Sequence, residues 1–236
     1  VAQTPLWGLG RVIALEHRAL WGGLIDLDRG TSPQSVLAEF LQVQPDGEMQ
    51  VAYRQGTRHV ARLARAVRPA LAQATPIQPD ATYLITGGLG ALGLLVADWL
   101  AAQGAGQLVL TGRRGITSAA QQEAVQRLTA HGSQVQIAQV DVADEIAMEA
   151  LFAQIAASAF PLKGVFHTAG VLDDALLLNQ RWARFVDVLA PKVTGAWLLH
   201  QLTLGLELDF LVFFSSTTAL LGNLGQGNYA AANAFL

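Results

Sequence analysis

Four polar side chains in the C-terminal half are of types that together serve one proton-transfer reaction. Ser216 follows the apolar run Asp209 to Phe214, Tyr229 lies thirteen residues further on, and Asn233 comes four residues after Tyr229. On a helix that spacing puts Tyr229 and Asn233 on one face. Upstream, Lys192 follows Pro191, a residue suited to a helix start. The chain holds only two lysines, Lys163 and Lys192, among fifteen basic residues, and a lysine kept where arginine is otherwise used hints that a compact ammonium is wanted. Hydride delivered to a carbonyl carbon leaves an alkoxide that needs a proton. A tyrosine phenol with an ordinary pKa of about 10 supplies it once a neighbouring cation lowers that value. In that scheme Tyr229 is the acid, Lys192 its electrostatic partner and Ser216 a donor to the carbonyl oxygen. Asn233 holds Lys192 or a relay water. Each residue alone is ordinary: serines end strands, tyrosines sit in helices, asparagines cap them.

A second constellation points to the group that would carry the hydride. The β-rich run Thr82 to Thr86 leads into Gly87-Gly88-Leu89-Gly90-Ala91-Leu92-Gly93, in which Gly88, Gly90 and Gly93 match G-x-G-x-x-G. Such glycines allow a tight turn, close approach of backbone to a pyrophosphate and close packing of helix on strand, while the helix N-terminus faces the phosphates. Glycines that merely serve a tight turn are the plain alternative; the strand-to-helix context favours a dinucleotide. At the end of the next β-run, where an NAD site carries Asp or Glu, the sequence has Thr111-Gly112-Arg113-Arg114. Arg113, with Arg114 beside it, suits a ribose 2′-phosphate, so NADPH is expected. Asp141 and Val142 fall where the adenine is reached by analogy, a place a solvated loop aspartate also fits. Thr168, Ala169 and Gly170 are small enough to let a cofactor lie across the strand ends. His167 before them reads equally well as a packed histidine and is given no proton-transfer role.

These residues need a frame. After residue 78, β-rich runs (82–86, 107–111, 134–140, 164–167, 209–214) alternate with helical stretches (90–103, 118–131, 144–157 and much of 179–203). That alternation predicts an α/β, doubly wound parallel sheet of the nucleotide-binding kind. Pro69 to Asp80 holds three prolines and no hydrophobic period, and reads as a linker. Before it, helical spacing over Trp7 to Leu20, a short apolar run Gly23 to Leu27, a helix from Ser32-Pro33 to Leu41, and strands at 49–54 and 58–63 around Gln55-Gly56 are too little for a complete α/β layer. Five arginines there (Arg54, Arg58, Arg62, Arg65, Arg68) read as a solvated sheet edge rather than a surface for an acidic partner.

The 236 residues are 52% apolar and 14% charged, with a formal net charge of −3 and no cysteine. Disorder is excluded by the apolar content, and thiolate metal sites, disulfides and a cysteine nucleophile by the missing cysteine. Nothing in the overall charge argues for nucleic acid. No apolar run reaches the roughly 18 to 20 residues that cross a bilayer, and no signal segment opens the chain, so a cytoplasmic protein is expected. The charged fraction is well below the usual quarter or so, which implies a large interior or a surface covered by other protein.

Gly87 to Gly93, Pro191-Lys192, Phe214-Ser215-Ser216 and Gly225 to Leu236 together resemble the ketoreductase domain of modular polyketide synthases, within the short-chain dehydrogenase/reductase superfamily. Pro5 to Arg11 and Gly22 to Asp28 are similar to that family's structural subdomain, so the resemblance covers nearly the whole chain. In ordinary short-chain dehydrogenases the lysine lies four residues after the tyrosine; here Asn233 holds that place and Lys192 lies upstream, which is itself the ketoreductase pattern. The resemblance implies NADPH-dependent reduction of a β-ketoacyl thioester to a β-hydroxyacyl thioester. The substrate would arrive on the phosphopantetheine arm of an acyl carrier protein domain, among neighbouring synthase domains. Leu172-Asp173-Asp174 resembles the LDD fingerprint of B-type ketoreductases, and Leu221 stands eight residues before Tyr229, where A-type members carry tryptophan. A D-configured alcohol is then expected.

The resemblance divides the chain into 1–78, the end of the structural subdomain plus linker, and 79–236, the NADPH-binding catalytic subdomain. It also implies that early strands of the first, and later strands and a lid of the second, lie outside this sequence, so activity of the 236 residues alone is doubtful. A redox-inactive structural domain of a synthase is the alternative of a different class; the presence of all four site residues argues against it. A free-standing alcohol dehydrogenase is disfavoured by the N-terminal part and by Asn233.

Overall fold

A computed structural model describes residues 2–41, 47–66 and 75–236. The chain order begins with α1 (Thr4–Glu16), β1 (Leu24–Leu27), α2 (Pro33–Leu41), β2 (Gln50–Arg54) and β3 (Thr57–Val60). It continues with β4 (Thr82–Thr86), α3 (Ala91–Ala102), β5 (Gln107–Gly112), α4 (Ala119–Ala130), β6 (Gln134–Gln139), α5 (Glu145–Ala156) and β7 (Leu162–His167). The last elements are α6 (Trp182–Leu189), α7 (Ala196–Thr203), β8 (Phe210–Phe213), α8 (Thr218–Leu221) and α9 (Gly227–Phe235).

Strands β4 to β8 form one parallel sheet in the order β6-β5-β4-β7-β8. This is the expected doubly wound α/β frame. Every residue of the central strand β4 is buried, as a parallel strand covered on both faces requires. The period of two then splits its side chains between two cores. Tyr83 and Ile85 pack with Leu100, Leu108 and Leu128 on one face, while Leu84 packs with Val109, Met148, Val165 and Leu199 on the other. The order of succession reverses at β4, whose neighbours are β5 and β7, and a ligand crevice opens at the carboxyl ends of strands at such a reversal. Both the glycine-rich segment and Thr168 to Gly170 emerge there.

Helix starts follow local chemistry. Ser118 Oγ accepts from Gln121 N at 3.2 Å and Asp144 Oδ1 from Ala147 N at 3.1 Å, each capping the helix that follows. The helical stretch expected over much of 179–203 runs unbroken from Trp182 to Thr203 but changes its bonding on the way. A 3₁₀ turn, Leu177–Asn179, precedes α6, and the backbone widens to a π-helical turn over Ala190–Gly195 before α7. Pro191 therefore lies inside a continuous helical path rather than opening a new helix. Proline has no N–H, and its ring crowds the carbonyl of the residue four before it, so α-type bonding yields there.

The N-terminal residues form a three-stranded sheet in which β2 pairs parallel with β1 and antiparallel with β3. The β2–β3 turn is Gln55 (φ 51°) and Gly56 (φ 76°), as the sequence suggested, but β3 ends at Val60, three residues short of the expected strand. The arginines are more than a solvated edge. Arg58 donates to both carboxylate oxygens of buried Glu39, at 3.0 and 2.9 Å, and Tyr53 Oη donates to the same carboxylate at 2.8 Å. Arg54 pairs with Asp26 and Arg62 with Glu48. Arg68 and positions 69–74 of the expected linker lie outside the described residues. Helix α1 packs on α9, and Gly8 is a point of close approach: a Cβ there would sit 2.2 Å from the carbonyl oxygen of Ala230. Among the described residues no helix is long and apolar enough to cross a membrane.

Candidate active site

At the carboxyl ends of β4, β5 and β7 the glycines do three separate jobs. Gly87 has φ +67°, and a Cβ on it would lie 2.7 Å from Ala169 Cα, so it both turns the chain and lets the β7 loop close against it. A Cβ on Gly88 would meet Leu110 Cβ at 2.8 Å, and one on Gly93 would meet the Gly87 carbonyl oxygen at 2.4 Å. These two set strand–helix distance and do not face the cleft. Gly90 opens α3 with no side-chain cap, leaving the first-turn N–H groups free for an anion. Leu92 is 44% exposed on that first turn and offers its backbone only.

Two adjoining hollows of about 240 and 230 Å³ run from this helix end along the strand tips, sharing Gly87, Arg113, Ala169 and Gly170. Leu89, Gly90, Arg114 and Thr168 line the first; Asp141 and Val142 line the second. The sequence-derived cofactor residues therefore converge, apart from Gly88 and Gly93, whose parts are structural, and Leu92, which lines neither hollow. Arg113 and Arg114 are exposed, and among the described residues neither makes an ion pair. Asp141 Oδ1 accepts from Ala143 N at 3.0 Å, which holds its loop while one carboxylate edge borders the hollow. An uncapped helix end, hollows that follow the strand tips past small residues and two unengaged guanidinium groups beside them fit a dinucleotide.

Lys192, Ser216 and Asn233 are gathered by the end of β8, and Tyr229 shares α9 with Asn233. Lys192 is 3% exposed, and its Nζ donates to the Phe214 carbonyl at 2.6 Å. Its stem passes Gly170, where a Cβ would lie 3.2 Å from Lys192 Cε, so the lysine reaches from the π-helical turn behind the cofactor loop to β8. Burial pulls its pKa down to about 8. One residue beyond Phe214, Ser215 Oγ donates to the Asn233 carbonyl at 2.8 Å and fastens α9 to the strand end. Ser216 Oγ accepts from Thr218 N at 3.2 Å and from Thr218 Oγ1 at 2.9 Å, which leaves its own proton to donate. Tyr229 is partly exposed in the first turn of α9. Asn233 Nδ2 donates to the Tyr229 carbonyl at 2.9 Å, and its buried Oδ1 has no partner. Of the two roles expected for Asn233, a hydrogen bond to Lys192 is not formed, the ammonium donating to Phe214, and the unpartnered Oδ1 suits the other, a water donor.

His167 ends β7 fully buried. Its Nδ1 pairs with Thr86 Oγ1 at 2.6 Å while Nε2 is unpartnered, and burial followed by the charge of Lys192 brings its pKa down to about 3. It is a neutral packed histidine.

The Leu172–Asp174 segment is stitched to the start of α9. Asn228 Nδ2 donates to the Asp173 carbonyl at 2.8 Å, Gln226 Nε2 to Asp174 Oδ2 at 2.8 Å, and Ala175 N to the Gly225 carbonyl at 2.8 Å. Asp173 also pairs with Arg184 at 3.2 Å, and Leu172 is 64% exposed. Asn228 adjoins Tyr229, so this loop borders the proposed acid directly.

Residues 81–236 match the family described as KR domain. This chain belongs to the KR domain family. Its relatives are polyketide synthases. It is 42% identical over 238 residues to polyketide synthase GfsA of Streptomyces halstedii, covering 99% of this chain and 3% of that protein. It is 43% identical over 238 residues to erythronolide synthase EryA3 of Saccharopolyspora erythraea, covering 100% of this chain and 7% of that protein. A solved structure of A-type ketoreductases from a modular polyketide synthase superposes with a TM-score of 0.89 at 43% identity, over 99% of this chain and 50% of that one. The chain thus spans a small part of these synthases and half of the solved chain.

Three positions of this KR domain carry weight that its sequence did not announce. Gln121 Nε2 donates to the Leu89 carbonyl at 2.9 Å while its Oε1 accepts from Thr117 N at 2.8 Å, joining the glycine-rich turn to the loop beyond Arg113 and Arg114. Asn228 is fully buried in the first turn of α9, where its Oδ1 accepts from Tyr229 N at 2.8 Å while its Nδ2 holds Asp173, and since Gln226 is the cap position no capping rule marks it. Glu16, at the end of α1, bonds two backbone N–H groups of the catalytic part, at 161 and 209 residues' separation, and no sequence pattern marks it.

Proposed function

We propose that this KR domain reduces a β-ketoacyl thioester to a β-hydroxyacyl thioester with NADPH, the substrate being carried on the phosphopantetheine arm of an acyl carrier protein within a polyketide synthase. The observation that carries the reading is the placement of a buried lysine, Lys192, between the Gly170 side of the cofactor cleft and the β8 end that holds Ser216 and anchors Asn233. Residues 1–78 then form part of a structural subdomain and its linker, and residues 79–236 the catalytic one.

The α3 N-terminus and Gly87 to Gly90 would hold the pyrophosphate, Arg113 with Arg114 the 2′-phosphate, Asp141 and Val142 the adenine side, and Thr168 to Gly170 the nicotinamide side. Bound there, NADPH supplies the hydride. Ser216, with its lone pairs occupied by Thr218, donates its proton in a hydrogen bond to the substrate carbonyl oxygen. Tyr229 transfers its phenolic proton to that oxygen as negative charge builds. The Lys192 ammonium favours the resulting phenolate, and Asn233 Oδ1 holds the water through which the proton is replaced.

Leu172-Asp173-Asp174, with Leu221 in place of tryptophan, supports the B-type reading and a D-configured alcohol. The likeness to A-type structures is one of the whole frame, whereas the type rests on these few residues beside Tyr229. The test is to supply NADPH and a β-ketoacyl thioester of N-acetylcysteamine, follow cofactor absorbance, and resolve the alcohol on a chiral phase. NADPH consumption with the D alcohol is expected. Consumption with the L alcohol removes the B-type reading, and no consumption by a cofactor-binding protein removes the reductase reading.

A further inference from the structure

The Leu172–Asn179 region and the start of α9 are held by a residue from outside the catalytic subdomain. Glu16 stands at the C-terminal end of α1 and is partly buried. Its Oε2 accepts from Leu177 N at 2.7 Å and its Oε1 from Gly225 N at 2.8 Å. Leu177 begins the 3₁₀ turn that closes the loop containing Leu172, Asp173 and Asp174, and Gly225, with φ +78°, is the turn from which α9 departs two residues later. One carboxylate therefore fixes the spacing between the Leu172–Asp174 loop and the helix that carries Tyr229. The Leu177 side chain closes on the same point: a Cβ on Gly227 would lie 2.9 Å from Leu177 Cδ2 and 3.3 Å from Leu9 Cδ1 of α1. Both oxygens are engaged by backbone donors, and such charge-assisted bonds are directional and roughly twice as strong as neutral ones. The anchor is rigid too, because α1 is locked against α9 at Gly8 and Ala230.

We infer that Glu16 is a positioning residue for substrate specificity, setting the register of the Leu172–Asp174 loop against Tyr229 and so selecting which face of the carbonyl is presented. This rests on the reductase reading above. It needs no contact between Glu16 and substrate, and it gives the N-terminal part of the chain a share in stereochemistry.

The test compares the parent with Glu16→Ala and the isosteric Glu16→Gln in the full polypeptide, using NADPH and a β-ketoacyl thioester of N-acetylcysteamine. Amide exchange at Leu177 and Gly225 is read alongside kinetics and product configuration. In Glu16→Ala, exchange at both amides, KM for the thioester and the share of the minor alcohol are each expected to rise about tenfold. The dissociation constant for NADPH and kcat stay within about twofold, because neither the cofactor cleft nor the acid itself is altered. Glu16→Gln keeps one acceptor and falls between the two; it also decides the matter if the alanine variant does not fold. Unchanged exchange overturns the clasp, and raised exchange with parental KM and alcohol ratio overturns the specificity role. A parent that binds NADPH yet reduces no thioester overturns the reductase reading and the role of Glu16 with it, a failure recognisable because it appears before any substitution is made.

Discussion

The glycine cradle of the cofactor cleft is written in one stretch of chain: within Gly87 to Gly93 lie the turn, the close approach to Ala169 and the start of α3. The chemical end is gathered from a π-helical turn, the end of β8 and α9, and its bordering loop is pinned by Glu16 from α1, 209 residues before Gly225. A locally encoded site needs only its own residues and the sheet beneath it. A dispersed site depends on how separate elements pack, so single substitutions should damage the two ends in different ways.

Among substitutions that leave the acid itself in place, Lys192→Met gives the largest expected difference. Losing the ammonium proposed to support the acid should lower kcat about 100-fold or more, with the dissociation constant for NADPH nearly unchanged. The pH response sharpens this. With a native pKa of about 8, Lys192 is charged below that value, so kcat/KM should fall as pH rises through about 8. Stability should move the other way. The unfolded chain keeps the proton up to the ordinary lysine pKa of about 10.4 while the native state has lost it, so this residue's share of unfolding free energy rises from about pH 8 upward. Both slopes should vanish in Lys192→Met, read by kinetics and by denaturant titration at each pH.

Gly93→Ala strikes the local site. Alanine gains about 1 kcal/mol of helix propensity over glycine, yet its Cβ would lie 2.4 Å from the Gly87 carbonyl oxygen. The obstacle is backbone, so the overlap wins. A lower melting temperature and an NADPH affinity reduced about tenfold or more are expected, and an affinity equal to the parent's would break the claim that the glycine spacing shapes the cradle. Arg113→Ala is smaller still: NADPH affinity should fall about tenfold with NADH affinity unchanged, as for removal of one exposed phosphate contact.

The same contrast explains what could be read in advance. The alternation of strands and helices announces a doubly wound parallel sheet and the glycine spacing marks the turn at Gly87, whereas the strand order β6-β5-β4-β7-β8 comes only from how the crossovers pack. Capping residues Ser118 and Asp144 mark helix starts to within a residue. The π-helical turn at Pro191 was not legible, since helical periodicity does not reveal a local change of bonding. Neither was the Phe214 carbonyl as partner of Lys192 in place of Asn233, a choice made by how β8 meets the π-helical turn. Arg58 looked like a surface charge because nothing near it in sequence announces the buried Glu39. The clasp made by Glu16 is the extreme case, joining segments whose proximity only the packing of α1 on α9 creates.

The central claim is that the dispersed end performs acid catalysis on a carbonyl while the local end binds cofactor independently. Tyr229→Phe separates the two most directly, because it removes one oxygen from a partly exposed side chain and leaves the glycine cradle untouched. NADPH consumption with a β-ketoacyl thioester should fall on the order of 1000-fold, with the dissociation constant for NADPH within about twofold of the parent. A variant that turns over at close to the parental rate would contradict the assignment of Tyr229 as the acid.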